Sequence, residues 1–213
     1  MLIFGHTGLT LGAAVLLNSA LSRRCHHVAE QSSEGEYSPD SLVIAEAQDG
    51  ASVSMESRLI ALGRRIDIRL LLIASILPDI VDKPLGVYIF RETFSSGRIF
   101  CHTLLLLVLI TIAGIWLYRS RGKLWLLVIS FGFLTHLIFD RMWGCRNALW
   151  PAFGLAFERE DLTDWEVSRF SDLVSRPDVY VPEIIGGIVL LWFFWVLLRN
   201  RSFWAFIKSG RVS

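Results

Sequence analysis

The residues best suited to chemistry in this chain are His136 and Asp140, in the segment FLTHLIFDRMW at positions 133–143. Apart from Thr135 and His136, every residue of this segment up to Phe139 is apolar. Residues four apart lie on the same face of a helix, so the imidazole and the carboxylate can bind one metal ion or two neighbouring ions. A direct hydrogen bond between the two side chains is the alternative that their spacing leaves open.

Other ionisable residues beside apolar segments are His6, Asp79, Asp82 and His102. Burying an isolated carboxylate in hydrocarbon is costly, so such groups usually face a cavity, pair with one another or bind an ion. Mixed imidazole and carboxylate ligation suits Zn²⁺, with Mn²⁺ or Fe²⁺ possible, and we expect one or two ions. Taken singly, each histidine could instead be a hydrogen-bonding group at a helix end, and Asp79 could stabilise a kink beside Pro78.

The composition indicates that a membrane surrounds these residues. The chain has 213 residues, of which 53% are hydrophobic, and a mean hydropathy of +0.50. These values are too high for an ordinary soluble domain of this size. A net charge of +1 gives no indication of nucleic-acid binding, and the three cysteines lack a disulfide or C-x-x-C pattern. We therefore expect the lipid bilayer to be a partner of the chain and nucleic acid not to be one.

Apolar stretches predict an all-α, polytopic membrane bundle of about five transmembrane helices in a single domain covering residues 1–213. Each stretch is about long enough to cross a hydrocarbon layer of ~30 Å as a helix. The second is interrupted by prolines and charged residues and could form two half-helices. The five stretches cover residues 2–21, 70–90, 100–118, 124–143 and 182–198.

Two long connections carry further predictions. Residues 26–57 are polar and rich in Ser, Glu and Gly, which predicts a flexible loop. In the other connection, Thr163 and Glu166 have capping-box spacing and precede an amphipathic pattern, which predicts a short surface helix. The apolar residues expected to share one face of that helix are Leu162, Trp165, Phe170, Leu173 and Val174.

Lysine and arginine placement predicts the orientation in the membrane. Alternation of five spans puts 13 of the 21 basic residues on the side of the C-terminus and 8 on the other side. The positive-inside rule then favours an outside N-terminus and a cytoplasmic C-terminus. The ionisable residues considered above fall toward the outer leaflet in this topology. Because histidines played no part in the charge count, their convergence is partly independent support for a shared site.

Five short motifs occur in a recognisable order between residues 5 and 154. They are FGHTGLTLGAA, ILPDIVDKPLG, GRIFCHT, THLIFDRMW and LWPAFG. Their order resembles that of the YdjM-like membrane-bound metal-dependent hydrolases of bacterial inner membranes. One departure is that Gly97 and Cys101 replace a histidine and a threonine of the family's His-Arg-x-x-Thr-His-Ser pattern, whereas Arg98 and His102 match it.

The resemblance implies a helical fold related to zinc-dependent phospholipase C and P1-type nucleases, with a metal-activated water as the nucleophile. It implies that Asp140 is a candidate bridge between metals, that Arg98 clamps a substrate phosphate, and that Asp82 is a base behind the ligands or an additional ligand. The implied metal ligands are His6, Asp79, His102, His136 and Asp140. We expect their side chains to converge within one metal coordination sphere or two adjacent ones.

These patterns together predict a hydrolase of the inner or plasma membrane whose metal site opens to the outer face. Its expected substrate is an ester of a lipid or lipid-linked compound, with a phosphoester favoured. An ion- or proton-coupled transporter is one alternative, although it should place such residues near the midplane and show repeat symmetry. A non-catalytic membrane scaffold derived from a hydrolase is another, and the departure at Gly97 keeps it open.

Overall fold

The computed structural model describes residues 2–33 and 55–210, and these residues are predominantly helical with no strand among them. The predicted all-α class is therefore confirmed. A π-helical turn, Pro84–Ile89, continues the third helix, and a 3₁₀ turn, Phe100–His102, precedes the fifth. In chain order the helices are α1 Ile3–Ser33, α2 Met55–Arg65, α3 Ile68–Lys83, α4 Arg91–Phe94, α5 Leu104–Arg121, α6 Trp125–Phe139, α7 Trp165–Ser175, α8 Pro177–Arg199 and α9 Phe203–Ser209.

By length and composition, three helical segments among the described residues could cross a membrane: Ile3–Ala20, Leu104–Arg121 and Pro177–Arg199. The fourth apolar helix, Trp125–Phe139, is shorter, and α3 has 16 residues before its π-helical continuation. Five spans are therefore not confirmed by helix length. The outward faces are apolar, since Ile112 on α5 is 60% exposed and Leu191 on α8 is 71% exposed. Such faces are typical of helices surrounded by lipid.

Small residues allow the helices to pack closely. A Cβ atom added to Gly8 of α1 would overlap the backbone of Gly186 in α8, and one added to Gly132 of α6 would press on Ala74 of α3. Lipid gives little hydrophobic drive for helix association, so this kind of close packing and hydrogen bonds between helices hold a bundle together. Two such bonds join α1 to α6 and α5 to α6, through the pairs Thr10–Thr135 at 2.8 Å and Thr111–Ser130 at 2.6 Å.

Successive long helices run in alternating directions, so their ends meet at one end of the bundle, which we call the site end. There α1, α5 and α8 begin, and α3 and α6 finish. The backbone N–H of Leu2 donates to Glu183 Oε1 at 2.6 Å, which joins the beginnings of α1 and α8. His6 lies in the first turns of α1, and its Nε2 is 3.2 Å from Oδ1 of Asp140, which directly follows α6.

The predicted amphipathic helix is present as α7, but its apolar face differs from the prediction. Asp164 has a left-handed φ of 53°, which starts the helix at Trp165 and leaves Leu162 outside it, buried. At 100° per residue, three side chains share an arc of about 60°. They are Val167, Phe170 and Val174, with exposures of 68%, 70% and 67%.

Only parts of the predicted loop at residues 26–57 fall in the described ranges. Residues 26–33 form the end of α1, and residues 55–57 form the beginning of α2. The remainder of that prediction lies outside the described residues.

Candidate metal centre

Four of the predicted side chains meet at the site end. One ligand atom from each lies within 4.8 Å of the other three, and the group consists of Asp79, His102, His136 and Asp140. The residues come from the last two turns of α3, the turn before α5 and the end of α6. Both imidazoles are fully buried. This cluster could hold a metal ion.

The hydrogen bonds of the two histidines determine which ring nitrogen carries the proton. His102 Nδ1 lies 2.8 Å from Asp82 Oδ2, and His136 Nδ1 lies 2.7 Å from the carbonyl oxygen of Ser75. Both partners only accept hydrogen bonds, so we assign each Nδ1 as the donor. In the neutral rings each Nε2 then carries a lone pair, and the two Nε2 atoms face each other at 3.1 Å. A proton on one Nε2, or a cation bound by both, would satisfy these lone pairs.

The separation of the two Nε2 atoms fits two ligands of one ion. Two nitrogens bonded to one zinc ion at about 2.0–2.1 Å are roughly 2.9–3.4 Å apart for angles between a right angle and a tetrahedral angle. Asp79 Oδ1 lies 3.5 Å from His102 Nε2 and 3.8 Å from His136 Nε2. This oxygen is buried without a hydrogen-bond partner among the described residues, whereas Oδ2 of the same carboxylate accepts from Lys83 Nζ at 2.6 Å. An unsatisfied buried oxygen beside two imidazole lone pairs is a donor set suited to a divalent cation.

His6 lies beside this group rather than within it. Its ring stacks on that of His136 with a centroid separation of 4.1 Å. Both ring nitrogens are buried and have no hydrogen-bond partner within the described ranges, although Nε2 is 3.2 Å from Asp140 Oδ1. Asp140 therefore lies between His6 and the remaining cluster. This is the placement expected of a bridging carboxylate, and its action as a bridge stays a prediction.

Asp82 lies behind His102, on the side away from His136. Its buried carboxylate accepts from the backbone N–H groups of Ile99 and Cys101 at 2.9 Å, from that of His102 at 3.2 Å and from the His102 ring. These bonds hold the turn before α5 and fix the tautomer of His102, as carboxylates behind metal-binding histidines do. The contacts favour positioning of His102 over direct ligation, and a catalytic role for Asp82 stays a prediction.

Arg98 reaches the cluster from the loop between α4 and α5. Its Nε lies 3.5 Å from Asp140 Oδ2, and its Nη1 lies 3.7 Å from Glu160 Oε1. Burial alone would lower the pKa of this guanidinium, but the carboxylates of Asp140 and Glu160 raise the pKa above its ordinary value. Asn147 fixes the loop, because its amide donates to the carbonyl of Arg98 at 2.9 Å. A permanent positive charge is thus held beside the candidate metal ligands.

Two cavities at the site end are lined by Asp140. The first, of about 280 Å³, is bounded in part by Gly97, Arg98 and Asp140. A Cβ atom added to Gly97 would make ordinary contacts of 3.5 Å with Lys83 and 3.6 Å with Val87. A Cβ atom at position 97 would therefore fit without displacing its neighbours.

Comparisons with known proteins bear on the identity of the chain. The model of a family described as YdjM inner membrane protein matches residues 43–209, which is most of the chain. This chain belongs to the YdjM inner membrane protein family. No curated protein matches the chain, and no solved structure matches it.

Membership of the YdjM family confirms that part of the predicted resemblance, and together with the apolar helices it supports a membrane protein. Metal-dependent hydrolysis stays a prediction. The matched range begins after FGHTGLTLGAA, so His6 lies outside it, whereas Asp79, His102, His136 and Asp140 lie inside it. The further relationship to phospholipase C and P1-type nucleases stays a prediction.

The structure adds residues that sequence reasoning missed. Lys83 pairs with Asp79 at the i,i+4 spacing, and this pair could have been found from the sequence. The carbonyl of Ser75 and the side chains of Asn147, Glu160 and Glu183 act over long sequence separations. No local pattern indicates those partners.

Proposed function

We propose that this member of the YdjM family is a membrane-bound, metal-dependent hydrolase that cleaves a phosphoester of a lipid or lipid-linked substrate. The observation that carries the proposal is the pair of buried imidazoles whose Nε2 atoms face each other at 3.1 Å. Each ring is fixed from behind by an acceptor, Asp82 for His102 and the Ser75 carbonyl for His136. Metal-binding histidines are oriented in this way.

In this proposal Asp79, His102, His136 and Asp140 would hold the first ion, and Asp140 and His6 would hold a second. Two imidazoles with carboxylates favour zinc, with Mn²⁺ or Fe²⁺ as the other candidates. When bound, the metal would polarise a phosphoryl oxygen and acidify a water molecule.

The chain's own residues then bind and orient the substrate. Arg98 offers guanidinium N–H groups to the substrate phosphate beside Asp140, and a planar guanidinium matches two phosphate oxygens at once. Glu160 holds the other side of the guanidinium at 3.7 Å and so restricts its rotation. Asp82 keeps the proton of His102 on Nδ1, away from the cluster. Burial of both imidazoles excludes bulk water from their side of the site.

We infer that α3 and α6 also cross the membrane, which gives the five spans indicated by hydropathy. The alternating directions of α1, α3, α5, α6 and α8 support this count. The excess of basic residues on the opposite side supports a site end that faces outward, with the C-terminus in the cytoplasm. Helix α7 would then lie at the outer surface, because one residue, Arg176, links it to α8.

The position of the cluster favours a hydrolase over a transporter. Its members lie at the ends of helices, next to cavities that open at the surface, whereas a transporter site is expected near the bilayer midplane. A scaffold would share this geometry and would differ in having no turnover.

Measuring hydrolysis with the metal removed and then restored tests the proposal. The protein purified in detergent is expected to hydrolyse a phosphodiester or phosphomonoester reporter, to lose activity in a chelator and to regain it with Zn²⁺ or Mn²⁺. Lys123→Ala is the control, because this exposed residue lies in the loop between α5 and α6, away from the site end. Metal binding without turnover on any phosphoester would support the scaffold instead.

A further inference from the structure

A second cavity adjoins the candidate metal centre. Its volume is about 340 Å³, near the lower limit of small-molecule sites, which is suited to a headgroup. It shares Arg98, Asp140 and Arg169 with the first cavity, so these residues lie between the two. The two cavities are therefore neighbouring parts of one cleft that meet beside Asp140.

Four arginines from four different segments face the second cavity. Arg98 comes from the loop before α5, Arg141 directly follows Asp140, Arg169 lies in α7, and Arg176 links α7 to α8. The carboxylates that line the same cavity are Asp140, Asp172 and Asp178. Positive charge thus exceeds negative charge in the lining before any metal is counted.

Two of these guanidinium groups have donors to spare. Arg98 contacts Asp140 and Glu160 at 3.5 and 3.7 Å, and Arg169 contacts Glu160 and Asp172 at 3.7 and 3.9 Å. Charge-assisted hydrogen bonds are shorter, at about 2.7–2.9 Å, and each guanidinium carries five N–H donors. Neither guanidinium forms a hydrogen bond with another described residue. Arg176 differs, because it bonds to Asp178 at 2.7 Å.

Helix α7 directs its polar side into this cavity. Arg169 and Asp172 line it, and both lie about opposite the exposed apolar arc of Val167, Phe170 and Val174 on the helix. Arg169 and Asp172 therefore belong to the polar side of this amphipathic helix, and the other three arginines of the lining come from neighbouring segments.

We propose that the second cavity binds a second phosphoryl group, so that the ligand of this cleft is an amphiphile with two neighbouring phosphoryl groups, such as a diphosphate. This inference rests on the proposed function, which puts the first phosphoryl group beside Asp140. Arg98 contacts both groups from its place between the cavities. Arg141, Arg169 and Arg176 supply the remaining positive charge around the second group.

Binding of small probes tests this subsite without turnover. The zinc-loaded, full-length protein in detergent is titrated calorimetrically with methylenediphosphonate and with methylphosphonate, and zinc content is checked after each titration. The wild type is expected to bind the diphosphonate at least about tenfold more tightly, since a charge-assisted hydrogen bond contributes about that factor. The preference should weaken as salt is raised.

The matched variants separate the subsite from simple chelation of zinc. Arg141→Gln combined with Arg176→Gln should reduce diphosphonate affinity about tenfold and change monophosphonate affinity by no more than roughly twofold. Arg141→Gln alone should reduce diphosphonate affinity by a smaller factor. This single variant is used if the double variant fails to retain zinc. Arg146→Gln is the control, because Arg146 lies at the same end of the molecule and donates to the Phe153 carbonyl at 2.8 Å without lining either cavity.

A wild type without preference for the diphosphonate would overturn the inference. So would a preference that Arg141→Gln and the double variant both leave intact, because binding would then come from the metal alone. Failure of the proposed function is distinguishable, since it would appear as absent turnover in a protein whose diphosphonate preference still depends on Arg141.

Discussion

The polar groups at the two ends of helix α3 differ in whether they have hydrogen-bond partners. At its beginning, Asp67 accepts from the backbone N–H of Arg69 at 2.9 Å and from its guanidinium at 2.8 and 3.1 Å. Arg69 also donates to the carbonyl of Ile207 at 2.6 Å, and the N–H of Ile68 donates to that of Gly210 at 3.0 Å. This end is closed by its own hydrogen bonds.

At the other end, which is the site end, polar side chains from several segments converge. Asp79 Oδ1 and both ring nitrogens of His6 have no hydrogen-bond partner among the described residues, and two imidazole nitrogens face each other at 3.1 Å. Buried polar groups in folded proteins are nearly always satisfied. The contrast along one helix therefore separates groups that maintain the fold from groups that could bind a ligand.

The largest effect is expected from removing the two histidines at the site end. His102→Ala combined with His136→Ala removes both facing lone pairs, so zinc affinity should fall by more than about 100-fold, beyond the effect of changing groups behind the ligands. Chelator competition measures this loss.

Asp140→Asn should also weaken zinc binding while preserving the fold. Adding His136→Ala to Asp140→Asn should lower activity little further, because groups that act as one unit are non-additive. Full turnover by Asp140→Asn would count against the centre.

A smaller loss of zinc affinity is expected when Asp82, which lies behind His102, is changed. Asp82→Asn keeps one carbonyl oxygen but loses the charge that three backbone N–H groups and the His102 ring share. Zinc affinity should fall about 10- to 100-fold. Visible absorption of the cobalt-loaded variant should change as well, since the orientation of His102 changes. If Asp82→Asn left both affinity and spectrum as in the wild type, Asp82 would not position His102.

The hydrogen bond from Leu2 to Glu183, which joins α1 to α8, should contribute more to the stability of the fold than to the affinity for the first ion. Glu183→Leu leaves the N–H of Leu2 without its acceptor, which costs about 1–3 kcal/mol for a buried group. Glu183→Gln retains an acceptor oxygen and should recover most of the loss. Thermal unfolding in detergent measures both variants. Equal destabilisation by Leu and Gln would show that the hydrogen bond to Leu2 is not what Glu183 contributes.

The smallest effect belongs to the closed end. Asp67→Ala removes a helix cap, so the free energy of unfolding should fall by about 0.5–2 kcal/mol, with zinc affinity unchanged. The side-chain hydrogen bond from Arg69 holds the pKa of Asp67 below its ordinary value. The charged form therefore stabilises the fold at neutral pH, and this contribution is lost as the pH falls below about 4. A change in zinc affinity on Asp67→Ala would remove the distinction between the two ends.

Apolar stretches predicted the helical class, and short motifs predicted the family and all four residues of the cluster. The i,i+4 pair His136 and Asp140 and the Leu-Pro-Asp motif with Asp79 are short-range features, and alternating spans bring such features to one end. The assignment of Leu162 to the face of α7 is wrong, because the left-handed residue Asp164 starts the helix at Trp165 and leaves Leu162 outside it. Partners such as the Ser75 carbonyl could not be predicted, because backbone acceptors across a helix interface leave no sequence signal.

The central claim is that Asp79, His102, His136 and Asp140 form a metal centre, and metal content with X-ray absorption tests it most directly. Protein purified from membranes and loaded with zinc should retain one or two ions per chain. Its spectrum should show nitrogen and oxygen ligands at about 2.0–2.1 Å, with imidazole scattering and no sulfur. The variant with His102→Ala and His136→Ala should lose the scattering of these two imidazoles, so that at most the contribution of His6 remains. Absence of bound zinc, or an unchanged spectrum in that variant, would contradict the account.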